Sequence, residues 1–309
     1  GICNSSKMVF NRNGLHLDNY EVNLIHTKKT NLKTFISYTD QVSKPTIVDA
    51  TASLKIAQVV PDILIKGVSV VAANKIANSI DLNHYKEIRR SEKLGKAKFK
   101  YETNVGAGLP VIETIQTLIN TDDKIIKIEG ILSGTLSYLF SKFSDKILFS
   151  NLVQTANLKG FTEPDPRDDL NGIDVGRKIL ILAREVGADI ELQDVEIQNL
   201  IPKSIDPNLS VKEFLLELKK YDNRFLKKYI KAKSRNSVLR YIAKWDGKKA
   251  SAKLCEVKSN SLFYYQDGRE NYISITTSRY MKSPIIIKGH GAGAEVTAAG
   301  IIGDLLKCK

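Results

Sequence analysis

Five carboxylates, two prolines, three glycines and a closing lysine share the stretch "GFTEPDPRDDLNGIDVGRK", residues 160–178. Pro164 and Pro166 disfavour helix just before them, so Thr162 to Asp168 is expected to be an extended loop. From Asn171 the pattern turns helical, with Ile173, Val175, Ile179, Leu180, Leu182 and Ala183 supplying the apolar surface. Asp174 and Lys178 then stand four apart on one helix face, where a carboxylate and an ammonium meet. An exposed ion pair is the commonest meaning of that spacing. Two features point beyond it. Gly176 sits mid-helix at a cost of about 1 kcal/mol relative to alanine, which implies close approach of another backbone. Glu163, Asp165, Asp168 and Asp169 crowd the same helix entrance. A helix N-terminus favours some negative charge, but the rest repels itself unless a cationic ligand or a lysine joins it.

Other segments carry weaker chemical signals. In "YETNVGAGLP" (101–110), glycines expose backbone carbonyls beside the Glu102 carboxylate, a donor set suited to a hard cation; a glycine turn capping a helix is the simpler reading. Gly289, Gly291 and Gly293 lie between a strand and a helix, as in a loop that cradles a pyrophosphate. Alone they read as a helix-entry turn, or as an accessory loop to a cofactor. "GICNSSK" (1–7) reads as a strand end followed by a polar turn. In a dinucleotide-binding fold an acidic residue there would select NAD; Asn4, Ser5, Ser6 and Lys7 lean towards a 2′-phosphate, and an ordinary loop remains the alternative.

The elements that must position these residues follow from periodicity. "TIVDA" (46–50), "VSVVAA" (68–73) and "KFKYE" (98–102) read as strands, with helical patterns between them such as "DLNHYKEIRRSEKLG" (81–95). That alternation predicts a parallel sheet faced by helices, with ligands beyond the carboxyl ends of the strands, where "ATAS" (50–53) and "AANK" (72–75) fall. Residues 105–288 change character. A helix over 109–120 precedes strands over 124–133, 237–245, 251–258, 271–278 and 284–289, an α+β region inserted into the α/β unit.

Composition bounds the rest. The 309 residues suffice for two domains, and no apolar run reaches the roughly 18 residues of a membrane span. Three distant cysteines, Cys3, Cys255 and Cys308, fit a reducing cytoplasm and argue against a disulfide framework or zinc site. A net charge of +13 invites a nucleic-acid partner. In the densest basic segment (219–240), however, Tyr221, Phe225 and Tyr229 recur every four residues, as in the buried stripe of a helix rather than a base-stacking platform. No nucleic-acid partner is expected.

Taken together, "GICNSSK", "VDATAS", "VVAANKIAN", "YETNVGAGLPVIETIQ", "GILSGTLSYLF", "GFTEPDPRDDLNGIDVGRK" and "GAGAEVTAAG" resemble homoserine dehydrogenase, most closely the dehydrogenase part of bifunctional aspartokinase–homoserine dehydrogenases. The resemblance covers nearly the whole chain. It implies NAD(P)H-dependent interconversion of L-aspartate 4-semialdehyde and L-homoserine, in threonine and methionine biosynthesis. It implies Lys178 as the proton donor, Asp174 as its orienting and substrate-binding partner, and Lys75 beside nicotinamide and substrate. Glu163 would take the substrate ammonium, with Thr135 and Phe161 lining the pocket. Asn4, Thr51, Ala52, Lys75, Gly160 and Gly293 would contact NADP(H), or NAD(H). Glu102 with the carbonyls of Val105, Ala107 and Leu109 would hold a sodium ion. The fold implied is an incomplete Rossmann-type unit (1–105, completed by 289–309) and a substrate and dimerisation unit (106–288), in a homodimer or higher oligomer. The family's first strand and glycine fingerprint lie upstream of the "GICNSSK" position, and Ile76 replaces a second lysine of close relatives. The expectation is therefore weak activity for this chain alone, or a fragment that only folds and dimerises.

Overall fold

In the computed structural model, which describes residues 1–20, 24 and 27–309, three sheets share the chain. A small antiparallel sheet joins β1 (Ile2–Cys3), β2 (Lys7–Val9) and β3 (Lys28–Lys29). A parallel sheet joins β4 (Thr46–Asp49), β5 (Ser69–Ala72) and β6 (Phe99–Lys100). Its crossovers carry helices α1 (Leu54–Ile65) and α2 (Leu82–Gly95), the latter capped by the Asp81 carboxylate accepting from the His84 N–H at 2.9 Å. β6 is shorter than "KFKYE" suggests because Glu102–Asn104 coil into a 3-10 turn instead of extending the strand.

Helix α3 (Val111–Asn120) leads into the third sheet, a mixed one of order β12-β11-β7-β9-β10-β8. Its strands are β7 (Ile125–Ile131), β8 (Glu196–Ile197), β9 (Ser237–Trp245), β10 (Ala250–Lys258), β11 (Asn271–Thr277) and β12 (Ile285–Gly289). Helices α4 (Gly134–Lys142), α5 (Phe149–Leu158), α6 (Ile173–Glu185) and α7 (Asp222–Lys233) belong to this part. The basic helix α7 buries its aromatic stripe: Phe225 stacks on Phe149 at 3.8 Å and Tyr229 meets Phe143 edge-on at 5.5 Å. One continuous apolar core runs from Val70 and Ile88 beside the parallel sheet, through Ile115 and Ile179, to Tyr241 and Ala243 in the larger one.

The chain returns at its end. Helix α8 (Ala294–Lys307) packs back on the 102–104 turn, where Asp304, 2% exposed, accepts the Glu102 N–H at 2.8 Å. Among the described residues no helix is long and apolar enough to cross a membrane.

Candidate active site

Helix α6 begins at a glycine for a steric reason. Gly172 adopts φ +75°, and a β-carbon there would stand 2.1 Å from the Tyr241 hydroxyl. That hydroxyl donates to the Gln198 carbonyl at 2.7 Å, which fixes the helix start against β9. Gly176 is also crowded, but by a side chain: the Ile197 Cδ1 would lie 2.2 Å from an added β-carbon. The expected close approach is thus to β8 through Ile197, not to a bare backbone. The loop before the helix also differs from expectation. Arg167–Leu170 form a helical turn, in which Arg167 clasps Asp165 at 2.6 Å and donates to the carbonyls of Pro207 and Leu209. Asp165 therefore has a structural partner. The prolines keep only 162–166 non-helical, because Arg167 follows Pro166 and escapes its restriction.

On α6, Lys178 is buried to 9% exposure and its Nζ donates to the Leu132 carbonyl at 2.7 Å and to Asp174 Oδ2 at 2.8 Å. The other Asp174 oxygen faces Lys75 Nζ at 3.5 Å. One carboxylate thus bridges two ammonium groups brought from opposite parts of the chain. Partial burial pushes the Asp174 carboxyl up, but Lys178 and then Lys75 outweigh it and hold the group far below the usual carboxylate range. The Asp174 side chain is still 48% exposed, so the cluster opens to a ligand.

A second cluster borders this one. Asp169 accepts the Glu163 N–H at 2.8 Å and lies beside Thr135, whose hydroxyl donates to the Phe161 carbonyl at 2.6 Å. Burial, with help from neighbouring Glu163 and Asp174, raises the Asp169 carboxyl above its ordinary value, although its hydrogen bonds oppose this. Asp169, whose part the sequence left unsettled, therefore lies between Glu163 and Thr135, and Thr135 in turn holds Phe161. Glu163 itself is exposed.

The strand ends of the parallel sheet form a third cluster. Asp49 accepts from the Thr51 N–H at 3.0 Å and from its hydroxyl at 2.7 Å. Asn74 donates to Asp49 at 2.9 Å and to the Ser53 carbonyl at 3.0 Å, and its own oxygen accepts the Ile76 N–H. Asp49 and Asn74, both 2% exposed, thereby fix Lys75 relative to the Thr51–Ser53 turn. Their role was not legible in the sequence, because nothing local marks the pairing of two polar residues 25 positions apart. Asn4 and Thr51 line one cleft of about 640 Å³ between β1 and β4, while Ala52 is exposed at its turn. The Asn4 side chain accepts from the Ser6 and Lys7 N–H groups and so shapes the β1–β2 turn.

The glycine loop before α8 is supported from below. Asn271, 1% exposed, lies against Gly291: a β-carbon on Gly291 would stand 2.0 Å from its Nδ2. That buried Nδ2 donates to no group among the described residues. Gly293, at φ +127°, and Gly160, at φ +64°, adopt backbone that side chains disfavour, and no neighbouring atom fills the space at Gly160. An orphaned donor beneath a loop that only glycine can form is consistent with a loop shaped to receive a cofactor.

Glu102 accepts the N–H groups of Ile112 and Glu113 at 2.7 and 2.8 Å, so its carboxylate caps α3, where the simpler reading of "YETNVGAGLP" expected the glycine turn to do so. Burial still raises its carboxyl above the ordinary value, and Asp304 is a further negative neighbour.

Fold and site define an α/β protein with strand ends arranged for a nucleotide cofactor beside a lysine–aspartate–lysine cluster. Two family models match the chain. Residues 7–102 match "Homoserine dehydrogenase, NAD binding domain" and residues 110–306 match "Homoserine dehydrogenase". The chain belongs to the homoserine dehydrogenase family. It is 42% identical, over 99% of its length, to bifunctional aspartokinase/homoserine dehydrogenase 1, chloroplastic, of Arabidopsis thaliana, and spans 34% of that protein. It is 41% identical to a homoserine dehydrogenase of Schizosaccharomyces pombe, covering 84% of this chain and 72% of that one. A Candida auris crystal structure of a protein of unknown function superposes with a TM-score of 0.91 at 37% identity, covering 98% and 87% of the two chains.

Proposed function

We propose that the chain interconverts L-aspartate 4-semialdehyde and L-homoserine with a nicotinamide cofactor. The observation that carries this reading is the Lys178–Asp174–Lys75 bridge, which brings a nearly buried lysine of α6 to a strand end of the α/β unit that matches an NAD binding domain. When bound, the nicotinamide supplies or accepts a hydride. The protein's task is then the oxygen of the reacting carbon. In the reducing direction that oxygen gains charge, and the Lys178 ammonium stabilises it and delivers a proton. Asp174 and the Leu132 carbonyl occupy two of the three Lys178 N–H donors, which leaves one for the substrate. In the oxidising direction the same nitrogen takes the hydroxyl proton. Glu163 binds the substrate ammonium, Thr135 and Phe161 line the pocket, and Asp174 orients the acid.

Asn4, Thr51, Ala52, Lys75, Gly160 and Gly293 would hold the cofactor. The neutral and basic turn at 4–7 favours NADP(H) over NAD(H). Residues 1–105 with 289–309 would form the cofactor unit, consistent with the Glu102–Asp304 bond, and 106–288 the substrate and dimerisation unit. Glu102 with the carbonyls of Val105, Ala107 and Leu109 would take a sodium ion, which would compensate a buried carboxylate. A cytoplasmic homodimer completes the reading.

The test follows NADPH oxidation with aspartate semialdehyde, comparing the protein with Lys178→Ala. Equal rates would remove Lys178 from the chemistry. No turnover by either would favour the alternative, a piece that folds and dimerises without catalysis.

A further inference from the structure

The proposed substrate is a zwitterion, and the residues assigned so far answer only its ammonium. Lys75 and Lys178 already face Asp174, so neither is free to neutralise an α-carboxylate at full strength. Arg269 is an uncommitted cation beside the pocket. The Arg269 guanidinium lies 4.1 Å over the ring of Phe161, and among the described residues it has no hydrogen-bond or ion-pair partner. Lys159 stands farther off, 6.0 Å from the same ring.

Arg269 is exposed, but the loop that carries it is pinned from several sides. Arg240, 6% exposed, donates to the carbonyls of Phe263, Tyr264 and Gln266. Ser137 donates to the Gly268 carbonyl at 2.8 Å, and Lys142 holds Asp267 at 3.0 Å. The Arg269 carbonyl itself would lie 3.0 Å from a β-carbon on Gly134, at the start of α4 and next to Thr135. A guanidinium stacked on an aromatic face keeps its in-plane N–H edge available, and that edge matches a carboxylate in a two-pronged hydrogen bond.

We infer that Arg269 reads the α-carboxylate of the substrate and makes the site selective for an amino acid over an amino alcohol. The inference rests on the homoserine dehydrogenase reading and deepens it. The experiment compares L-homoserine with 3-aminopropan-1-ol, its decarboxylated counterpart, in the protein and in Arg269→Gln and Arg269→Lys. Losing one charge-assisted contact should raise KM for L-homoserine by about tenfold in Arg269→Gln with kcat little changed. The amino alcohol should be unaffected, so the preference for homoserine falls by the same factor. Arg269→Lys should recover part of it. If the protein turns over homoserine and Arg269→Gln keeps the full preference, the inference is wrong and the activity stands. If the protein neither binds nor oxidises homoserine, both fall together.

Discussion

The two ends of helix α6 use charge in opposite ways. At its start, Lys178 shares Asp174 with Lys75, and the carboxylate stays half open. At its end, the Arg184 side chain is completely buried. It donates to the carbonyls of Asn78, Ile80 and Ile190 and pairs with Glu191 at 2.9 Å. Next to it, Glu185 accepts from Tyr101 at 2.5 Å and from Gln116 at 2.9 Å. The far end therefore has its hydrogen bonds satisfied within the protein, as a structural joint does. The near end retains donor capacity, as a reacting site must. Asn78 lies three residues after Lys75, so the saturated end also fixes the segment that delivers Lys75 to the open end.

That contrast can be broken experimentally at either end. Lys178→Ala should lower kcat by about 10²–10⁴ through loss of the acid, at a stability cost of about 1 kcal/mol for the one carbonyl it strands. Arg184→Ala should do the reverse. Stranding one buried and two half-buried carbonyls costs about 3 kcal/mol of stability in urea unfolding, while kcat of the folded fraction holds. Asn271→Leu tests the floor of the glycine loop. KM for NADPH should rise about tenfold, as for one lost hydrogen bond, while KM for the amino-acid substrate stays put.

The smallest effect concerns pH. The Asp169 carboxyl is raised by burial, so the folded state binds its proton more tightly than the unfolded chain does. Its unfavourable contribution at neutral pH is relieved as pH falls through the raised value towards the ordinary range near about 4. Asp174 is lowered, so its contribution is present above that range and lost only in stronger acid. Asp169→Asn should flatten the gain in melting temperature on mild acidification. An unchanged slope would remove Asp169 as its source.

Much of this was legible in the residues because the signals are local. Alternating apolar positions gave β9 its observed span, Ser237–Trp245, and the i, i+4 spacing of Asp174 and Lys178 placed them on one helix face. Residues paired across the fold were not legible from spacing. The meeting of Lys75 with Asp174, the Asn74–Asp49 bond and the seat of Gly291 on Asn271 exist only once the sheets are packed. The same holds for Ile197 against Gly176, since a mid-helix glycine announces a close neighbour without saying which. The resemblance supplied Lys75, Glu163 and Thr135, which no periodicity would have singled out.

The hydrogen bond from the Glu102 N–H to Asp304 joins residues 202 positions apart, and it has a consequence for biosynthesis. A ribosome releases residues 46–104 long before the helix that covers their turn. The nascent parallel sheet must wait, with part of its surface bare, while the six-stranded region emerges and folds. Closure of the parallel-sheet side is therefore a late event in the life of each chain. A truncation ahead of α8 should leave the six-stranded region folded and the parallel-sheet region exposed to proteases and chaperones.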